Sequence, residues 1–149
     1  MHQLLVATTV LPMGAMVSFA SNGNDARGHL ALPDSGSGPA VMVIQEWWGL
    51  NPQMKGVADY LADQGFVALA PDLYHGELAG HDEMDKAGKL MTELPPDRAA
   101  RDMSGAVDFL LNHEASSGDG VGVVGFCMGG LLSFMIAALR GDAVKAAVP

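Results

Sequence analysis

The sequence is poor in cysteine and in basic residues, and both shortages exclude classes of protein. A single cysteine rules out an internal disulfide, and no group of cysteines and histidines has the spacing of a zinc site. We therefore predict a cytoplasmic protein that needs no metal and no cofactor. Only eight lysines and arginines stand against 17 acidic residues, for a formal net charge of -9. Because no basic run can neutralise phosphates, neither nucleic acid nor a membrane is an expected partner.

The chain has enough apolar residues for one globular domain. It contains 149 residues, of which 49% are hydrophobic, so a core can form and a small neutral or hydrophobic substrate fits best. No lysine or arginine precedes Arg27, whereas a secretory signal needs a positive start. We interpret residues 1–15 as an upstream or disordered lead and residues 16–149 as the domain. A signal peptide is the less favoured alternative.

The most informative stretch is VGVVGFCMGGLL at residues 121–132, which is typical of a strand, a sharp turn and a helix. A residue at the apex of such a turn has a strained backbone, so the positions two before and two after it must be small. Gly125 and Gly129 meet this requirement around Cys127. The first turn of the helix also offers backbone N–H groups to a developing anion. Cys127 is therefore a candidate nucleophile.

This stretch has two other interpretations. A lone cysteine is more often a buried structural thiol, but the flanking glycines favour the nucleophile. Residues 120–125 also match the G-x-G-x-x-G pattern of dinucleotide-binding proteins. That pattern needs a strand before it and a helix after it, whereas these glycines interrupt the strand itself. Because residues 114–119 are expected to form a polar loop, nucleotide binding is disfavoured.

Periodicity along the rest of the chain alternates between strand and helix. Strands are expected at residues 16–20, 25–32, 40–44, 66–71 and from 144, and helices at 51–65, 82–94, 97–113 and 128–140. This order predicts an α/β fold with parallel strands joined by helices. His29 is expected on the solvated face of its strand. Asp102 is expected to be a solvated residue of the long third helix, and His113 to end that helix.

The sequence resembles the dienelactone hydrolase family of α/β hydrolases. The resemblance rests on VIQEWWGLN at residues 43–51, DQGFVALAPDLYHG at 63–76 and VGVVGFCMGG at 121–130. It implies the α/β-hydrolase fold, a mostly parallel central sheet flanked by helices. It also implies hydrolysis of a lactone or small ester by a cysteine nucleophile with a histidine base and an aspartate.

The resemblance assigns roles to individual residues of this chain. Cys127 becomes the nucleophile, and Glu46 lies beside the thiol and disfavours the thiolate until substrate binds. The oxyanion hole uses the backbone N–H groups of Trp47 and Met128. The side chains of Trp47 and Trp48 either shape a pocket wall or pack in the core.

Two departures from the family pattern limit these expectations. In this fold the acid and the histidine follow the nucleophile, but every histidine here precedes Cys127 and only Asp142 is an acid after it. We interpret the chain as the N-terminal part of a longer hydrolase, truncated at its C-terminal side and inactive alone. Residues 72–96 hold no arginine and only Tyr74 as a tyrosine, so dienelactone itself is a doubtful substrate. The alternative function is a non-catalytic ligand-binding or interaction domain of the same fold.

Overall fold

The computed structural model describes residues 14–149, which form one six-stranded sheet with helices on both faces. The strands are β1 (Gly14–Ser21), β2 (Asn24–Ala31), β3 (Gly38–Ile44), β4 (Val67–Pro71), β5 (Ser116–Gly125) and β6 (Val144–Val148). The helices are α1 (Pro52–Asp63), α2 (Met84–Glu93), α3 (Pro96–Asn112) and α4 (Met128–Leu139). The predicted α/β architecture is confirmed. Most of the predicted lead, residues 1–13, lies outside the described residues.

The sheet is mixed, with an antiparallel edge and a parallel centre. Its strand order is β1-β2-β4-β3-β5-β6. β1 and β2 form a hairpin, in which Asn22 and Gly23 both have positive φ, as a tight two-residue turn requires. β3 is paired in parallel with β4 on one side and with β5 on the other, and β5 is parallel to β6. β3 is therefore the centre of the parallel part.

The apolar core lies on both faces of β3. Met42 and Ile44 belong to the cluster under α3 and α4. Val41 and Val43, which point to the opposite face, belong to the cluster under α1. A strand buried on both faces must be apolar throughout, and this explains the unbroken apolar run of β3.

The ends of α1 follow the local sequence closely. The Asn51 side chain accepts a hydrogen bond of 3.0 Å from the Met54 N–H, and Pro52 occupies the first turn of α1. Gly65, with φ of 99°, follows the end of the helix. Among residues 14–149, no helix combines the length and the apolarity that a membrane crossing requires.

Three expectations from the sequence were wrong. Residues 114–119 are not wholly a loop, because β5 begins at Ser116, which pairs with Gly38 of β3. His29 is buried, 6% exposed, against Asp59 of α1. Asp102 is 1% exposed and accepts hydrogen bonds within the protein. In each case the polar groups were expected to bond to water, because the local sequence is polar. They bond instead to a partner that is distant in sequence.

Candidate active site

The predicted site residues lie at the carboxyl end of β3, where the chain direction across the sheet changes. From β3 the chain passes through α1 to β4 on one side, whereas β5 lies on the other side. Ligands of α/β proteins bind in the crevice at such a switch point. Ile44 pairs with Gly125, and the Phe126 N–H donates to the Ile44 carbonyl at 3.3 Å. The loops after β3 and β5 therefore leave the sheet side by side.

Cys127 occupies the sharp turn between β5 and α4. Its backbone has φ of 56° and ψ of -117°, a conformation that costs a residue with a Cβ free energy. The thiol residue is exposed, and α4 begins at the next residue, Met128. The expected strand, turn and helix are all present. The alternative interpretation, a buried structural thiol, does not fit an exposed residue in this conformation.

Two glycines allow this turn to be so tight. A Cβ built on Gly125 would overlap the Gly129 carbonyl. A Cβ on Gly129 would lie 2.5 Å from the Ile44 carbonyl oxygen and 2.7 Å from that of Gln45. The first turn of α4 therefore packs directly on the end of β3, and only glycine leaves room for this contact.

The two N–H groups expected to form an oxyanion hole are not used elsewhere in the backbone. Met128 is the first residue of α4, and its N–H belongs to the first-turn donors that have no partner within a helix. Within residues 14–149, neither the Met128 N–H nor the Trp47 N–H donates a backbone hydrogen bond outside the regular elements. In the part of the chain that the structure describes, both groups thus meet one requirement of the predicted oxyanion hole.

Glu46 follows the end of β3, and its side chain is half-buried. Among the described residues, no hydrogen bond joins Glu46 to Cys127. The neighbouring Gln45 is fully buried, and its Oε1 accepts a hydrogen bond of 3.0 Å from the Leu73 N–H. Gln45 thus ties the loop after β3 to the loop after β4.

Tyr74 also lies at this site, where no role was predicted for it. It is 4% exposed, and its hydroxyl donates to Met128 Sδ at 3.5 Å. Burial and, secondarily, the charge of Cys127 raise the pKa of Tyr74 to about 12. The hydroxyl therefore remains a hydrogen-bond donor at neutral pH. The position of DLYHG at the carboxyl end of β4, next to β3, is the signal that could have identified it.

No described histidine is placed as a base for Cys127. None of them forms a hydrogen bond to Cys127 within residues 14–149: His29 bonds to Asp59, His75 bonds to Asp102, and His113 accepts from the Ala115 N–H. The His81 ring lies tilted against Trp48. In the part of the chain that the structure describes, no group of three or more potential ligands is arranged for a metal ion. His113 follows the last residue of α3, as expected.

Aromatic side chains flank the loop after β3. The rings of Trp47 and Trp48 lie 5.0 Å apart in an edge-on arrangement, and His81 lies 4.8 Å from Trp48. Both tryptophans are half-buried. This exposure does not distinguish between a pocket wall and core packing. A cavity of about 880 Å³ lies elsewhere, between β1 and α3, and is lined by Phe19, Arg101 and Phe109 among others. None of the predicted site residues lines that cavity.

Known proteins share both the sequence and the fold. A family model described as dienelactone hydrolase family matches residues 26–149. Protein usf of Aquifex pyrophilus is 45% identical over 143 residues, which are 92% of this chain and 61% of that protein. Carboxymethylenebutenolidase of Pseudomonas sp. (strain P51) is 39% identical over 126 residues, covering 80% of this chain and 52% of that protein.

A solved structure named m3DLH superimposes with a TM-score of 0.77 at 28% identity. The match covers 90% of this chain and 57% of that structure. The chain thus spans between half and two thirds of the length of these proteins. The resemblance of the three motifs is confirmed, because the family match includes all of them and the strands that carry them. The chain belongs to the dienelactone hydrolase family.

Proposed function

We propose that the complete protein hydrolyses lactones or small carboxylic esters through an acyl thioester on Cys127. The observation that carries this proposal is the exposed thiol at positive φ, at the switch point of the sheet and at the start of α4. The name carboxymethylenebutenolidase, which describes a lactone-opening enzyme, belongs to the Pseudomonas relative and supports a lactone as substrate. A strained backbone at a ligand crevice is typical of catalytic residues.

The proposed reaction has two steps at the substrate carbonyl. The Cys127 thiolate attacks the carbonyl carbon, a C–S bond forms, and the π electrons move to the oxygen, which accepts hydrogen bonds from the Trp47 and Met128 N–H groups. The C=O bond then re-forms as the C–O bond to the alcohol breaks, and the alkoxide takes a proton. Water next attacks the thioester, releasing the carboxylic acid and the thiol.

Proton transfer in these steps requires a base, for which the resemblance implies a histidine. None of the described histidines is assigned this role, because within residues 14–149 none forms a hydrogen bond to Cys127. The expectation of an aspartate and a histidine later in the sequence, and of an inactive 149-residue chain, therefore stays a prediction. For Glu46 we propose that its charge keeps the thiol protonated in the free enzyme. Cytoplasmic location also stays a prediction, and no oligomeric state is proposed.

The test is to trap the acyl intermediate in the complete protein. We expect 4-nitrophenyl acetate to give a burst of nitrophenol, and mass spectrometry of the quenched protein to place one acetyl group on Cys127. Cys127→Ala should lose the burst, the adduct and the turnover, the last by about 10⁴-fold or more.

Glu114→Gln, a change at an exposed residue far from the turn, is the control and should behave as wild type. Turnover of Cys127→Ala above a tenth of the wild-type rate would contradict the nucleophile. A wild-type protein that binds small esters without turnover would favour the alternative, a ligand-binding domain of this fold.

A further inference from the structure

Tyr74 connects the two loops that form the candidate site. Its ring packs against the loop after β3, since a Cβ built on Gly49 would lie 3.3 Å from Tyr74 Cδ2. Its hydroxyl reaches the first residue of α4 and bonds to Met128 Sδ. A thioether is a weak acceptor, so this hydroxyl can turn to a stronger one nearby. A thiolate or an oxyanion at Cys127 would be such an acceptor.

The loop that carries Tyr74 is held by neighbours on several sides. The Leu73 N–H donates to Gln45 Oε1 at 3.0 Å, and the Leu73 carbonyl accepts from Arg98 Nη2 at 3.1 Å. The Asp72 N–H donates to the Arg27 carbonyl at 2.8 Å. Asp72 and Leu73 are thus fixed to their neighbours on three sides. After Tyr74, the Gly76 N–H donates to Asp72 Oδ2 at 2.7 Å and the Ala79 N–H donates to the Trp48 carbonyl at 3.0 Å.

His75 adds a side-chain anchor directly after Tyr74, and it does so from an unfavourable backbone conformation. Its φ is 53°, a region that costs a residue with a Cβ free energy and persists only when other contacts impose it. The side chain is 37% exposed, yet it turns inward to place Nε2 2.6 Å from Asp102 Oδ2. This contact is the observed reason for a histidine at a position that suits glycine or asparagine.

The Asp102 carboxylate is shielded from solvent and forms its hydrogen bonds within the protein. Its side chain is 1% exposed, and its other oxygen accepts a hydrogen bond of 2.6 Å from the Ser21 hydroxyl. Arg101 Nε lies 3.7 Å from the same oxygen and donates to the Ser21 hydroxyl at 3.3 Å. A buried carboxylate with this set of donors is held firmly in one orientation.

We propose that His75 and Asp102 form a positioning pair that holds the Tyr74 hydroxyl against the first turn of α4, beside Cys127. The pair does not touch the thiol and is not an alternative base. Its effect on Cys127 passes through Tyr74. This pair refines the proposed hydrolase site. Its test by turnover rests on the proposed function, whereas its test by alkylation of Cys127 does not.

The first experiment measures the reaction of Cys127 with iodoacetamide at pH 7 in the complete protein, since alkylation requires no hydrolase activity. Tyr74→Phe should slow alkylation by about two- to tenfold, the effect of one lost hydrogen bond to the thiolate. His75→Asn, which tolerates positive φ but cannot span to Asp102, should slow it by a similar factor. The double variant should be no slower than Tyr74→Phe alone, because both changes remove one interaction.

The control uses the second histidine–aspartate pair of the protein. His29→Asn breaks the contact of 2.7 Å with Asp59 on the opposite face of the sheet, and it should leave the alkylation rate unchanged. If His75→Asn does not fold, His75→Gly replaces it, because glycine adopts positive φ without strain. Asp102→Asn keeps an oxygen that accepts from the Ser21 hydroxyl and an amide group that can bond to the imidazole. We therefore expect this variant to retain at least half of the wild-type alkylation rate.

Turnover supplies an independent measurement. Where the complete protein hydrolyses esters, His75→Asn should lower kcat by about two- to tenfold and leave KM within about twofold, since the pair orients groups at the reacting atoms. A folded His75→Asn or His75→Gly variant with wild-type alkylation would overturn the pair's role, and so would effects of His75→Asn and Tyr74→Phe that multiply. A protein without esterase activity would overturn the proposed function alone, because alkylation would still test the pair.

Discussion

Two histidine–aspartate pairs lie on opposite faces of the sheet and have nearly the same geometry. His29 and Asp59 are 2.7 Å apart on the α1 face, and His75 and Asp102 are 2.6 Å apart on the α3 face. In the first pair the histidine is the more buried member: its side chain is 7% exposed, against 27% for the side chain of the aspartate. In the second the order is reversed, at 37% for the histidine and 1% for the aspartate.

This reversal indicates different tasks. The first pair joins a strand to a helix, and the His29 ring fills space beside Gly14, where a Cβ would overlap it. In the second pair a buried carboxylate fixes a partly exposed histidine next to Tyr74, which reaches Met128. Equal contact chemistry therefore does not imply equal function. What distinguishes the pairs is which loop each one anchors.

The largest effect is expected at the turn to which only the second pair is connected. Gly129→Ala should destabilise the complete protein by about 3 kcal/mol, because its Cβ would lie 2.5 Å from the Ile44 carbonyl oxygen. Gly88→Ala in α2, with open space around the new Cβ, should instead stabilise by about 0.5–1 kcal/mol. Urea unfolding of both variants measures this difference. Equal midpoints would show that α4 does not pack on β3 in this way.

The next effect separates the two aspartates by stability. Asp102→Ala should cost about 2 kcal/mol, because it leaves the buried Ser21 hydroxyl and the His75 ring without their acceptor. Asp59→Ala should cost about 0.5–1 kcal/mol, since its carboxylate is partly exposed and has one partner. Urea unfolding at pH 7 measures both. A larger loss for Asp59→Ala would reverse our ranking of the pairs.

A third prediction sharpens the comparison by asking what else controls the thiol. Glu46→Gln should make Cys127 react about two- to tenfold faster with iodoacetamide at pH 7, because a negative charge that disfavours the thiolate is removed. Glu114→Gln changes the net charge equally at an exposed, distant position and serves as the control. An unchanged or slower rate for Glu46→Gln would mean that Glu46 and Cys127 do not meet.

The smallest effect concerns Tyr74, the residue that the second pair positions. Its pKa in the folded protein is about 12, against 10.0 for an unperturbed tyrosine, chiefly because of burial. The folded state therefore holds this proton more tightly, so its stabilising effect is complete below pH 10 and is lost as the pH rises to about 12. Urea midpoints over this range should fall more steeply for wild type than for Tyr74→Phe. Parallel curves would contradict a buried Tyr74 hydroxyl.

The turn at the candidate site could be predicted because its geometry is encoded locally. The spacing of Gly125, Cys127 and Gly129 describes a turn that few other sequences can form, and the turn is where it was expected. The pattern at residues 40–44 likewise predicted a strand, which is part of β3. Asp102 could not be predicted in the same way, because a single aspartate on a helix has the same local pattern whether it faces water or a serine hydroxyl.

By itself the sequence determined the order of strands and helices, the sharp turn at Cys127 and the family, since each depends on residues that are neighbours in the chain. Only the tertiary structure decided which polar side chains are buried and which loop reaches the first residue of α4. The partners that decide this are far apart in sequence: their residue numbers differ by 30 for His29 and Asp59, by 27 for His75 and Asp102, and by 54 for Tyr74 and Met128. Packing of the helices on the sheet brings these partners together, and no local pattern encodes that meeting.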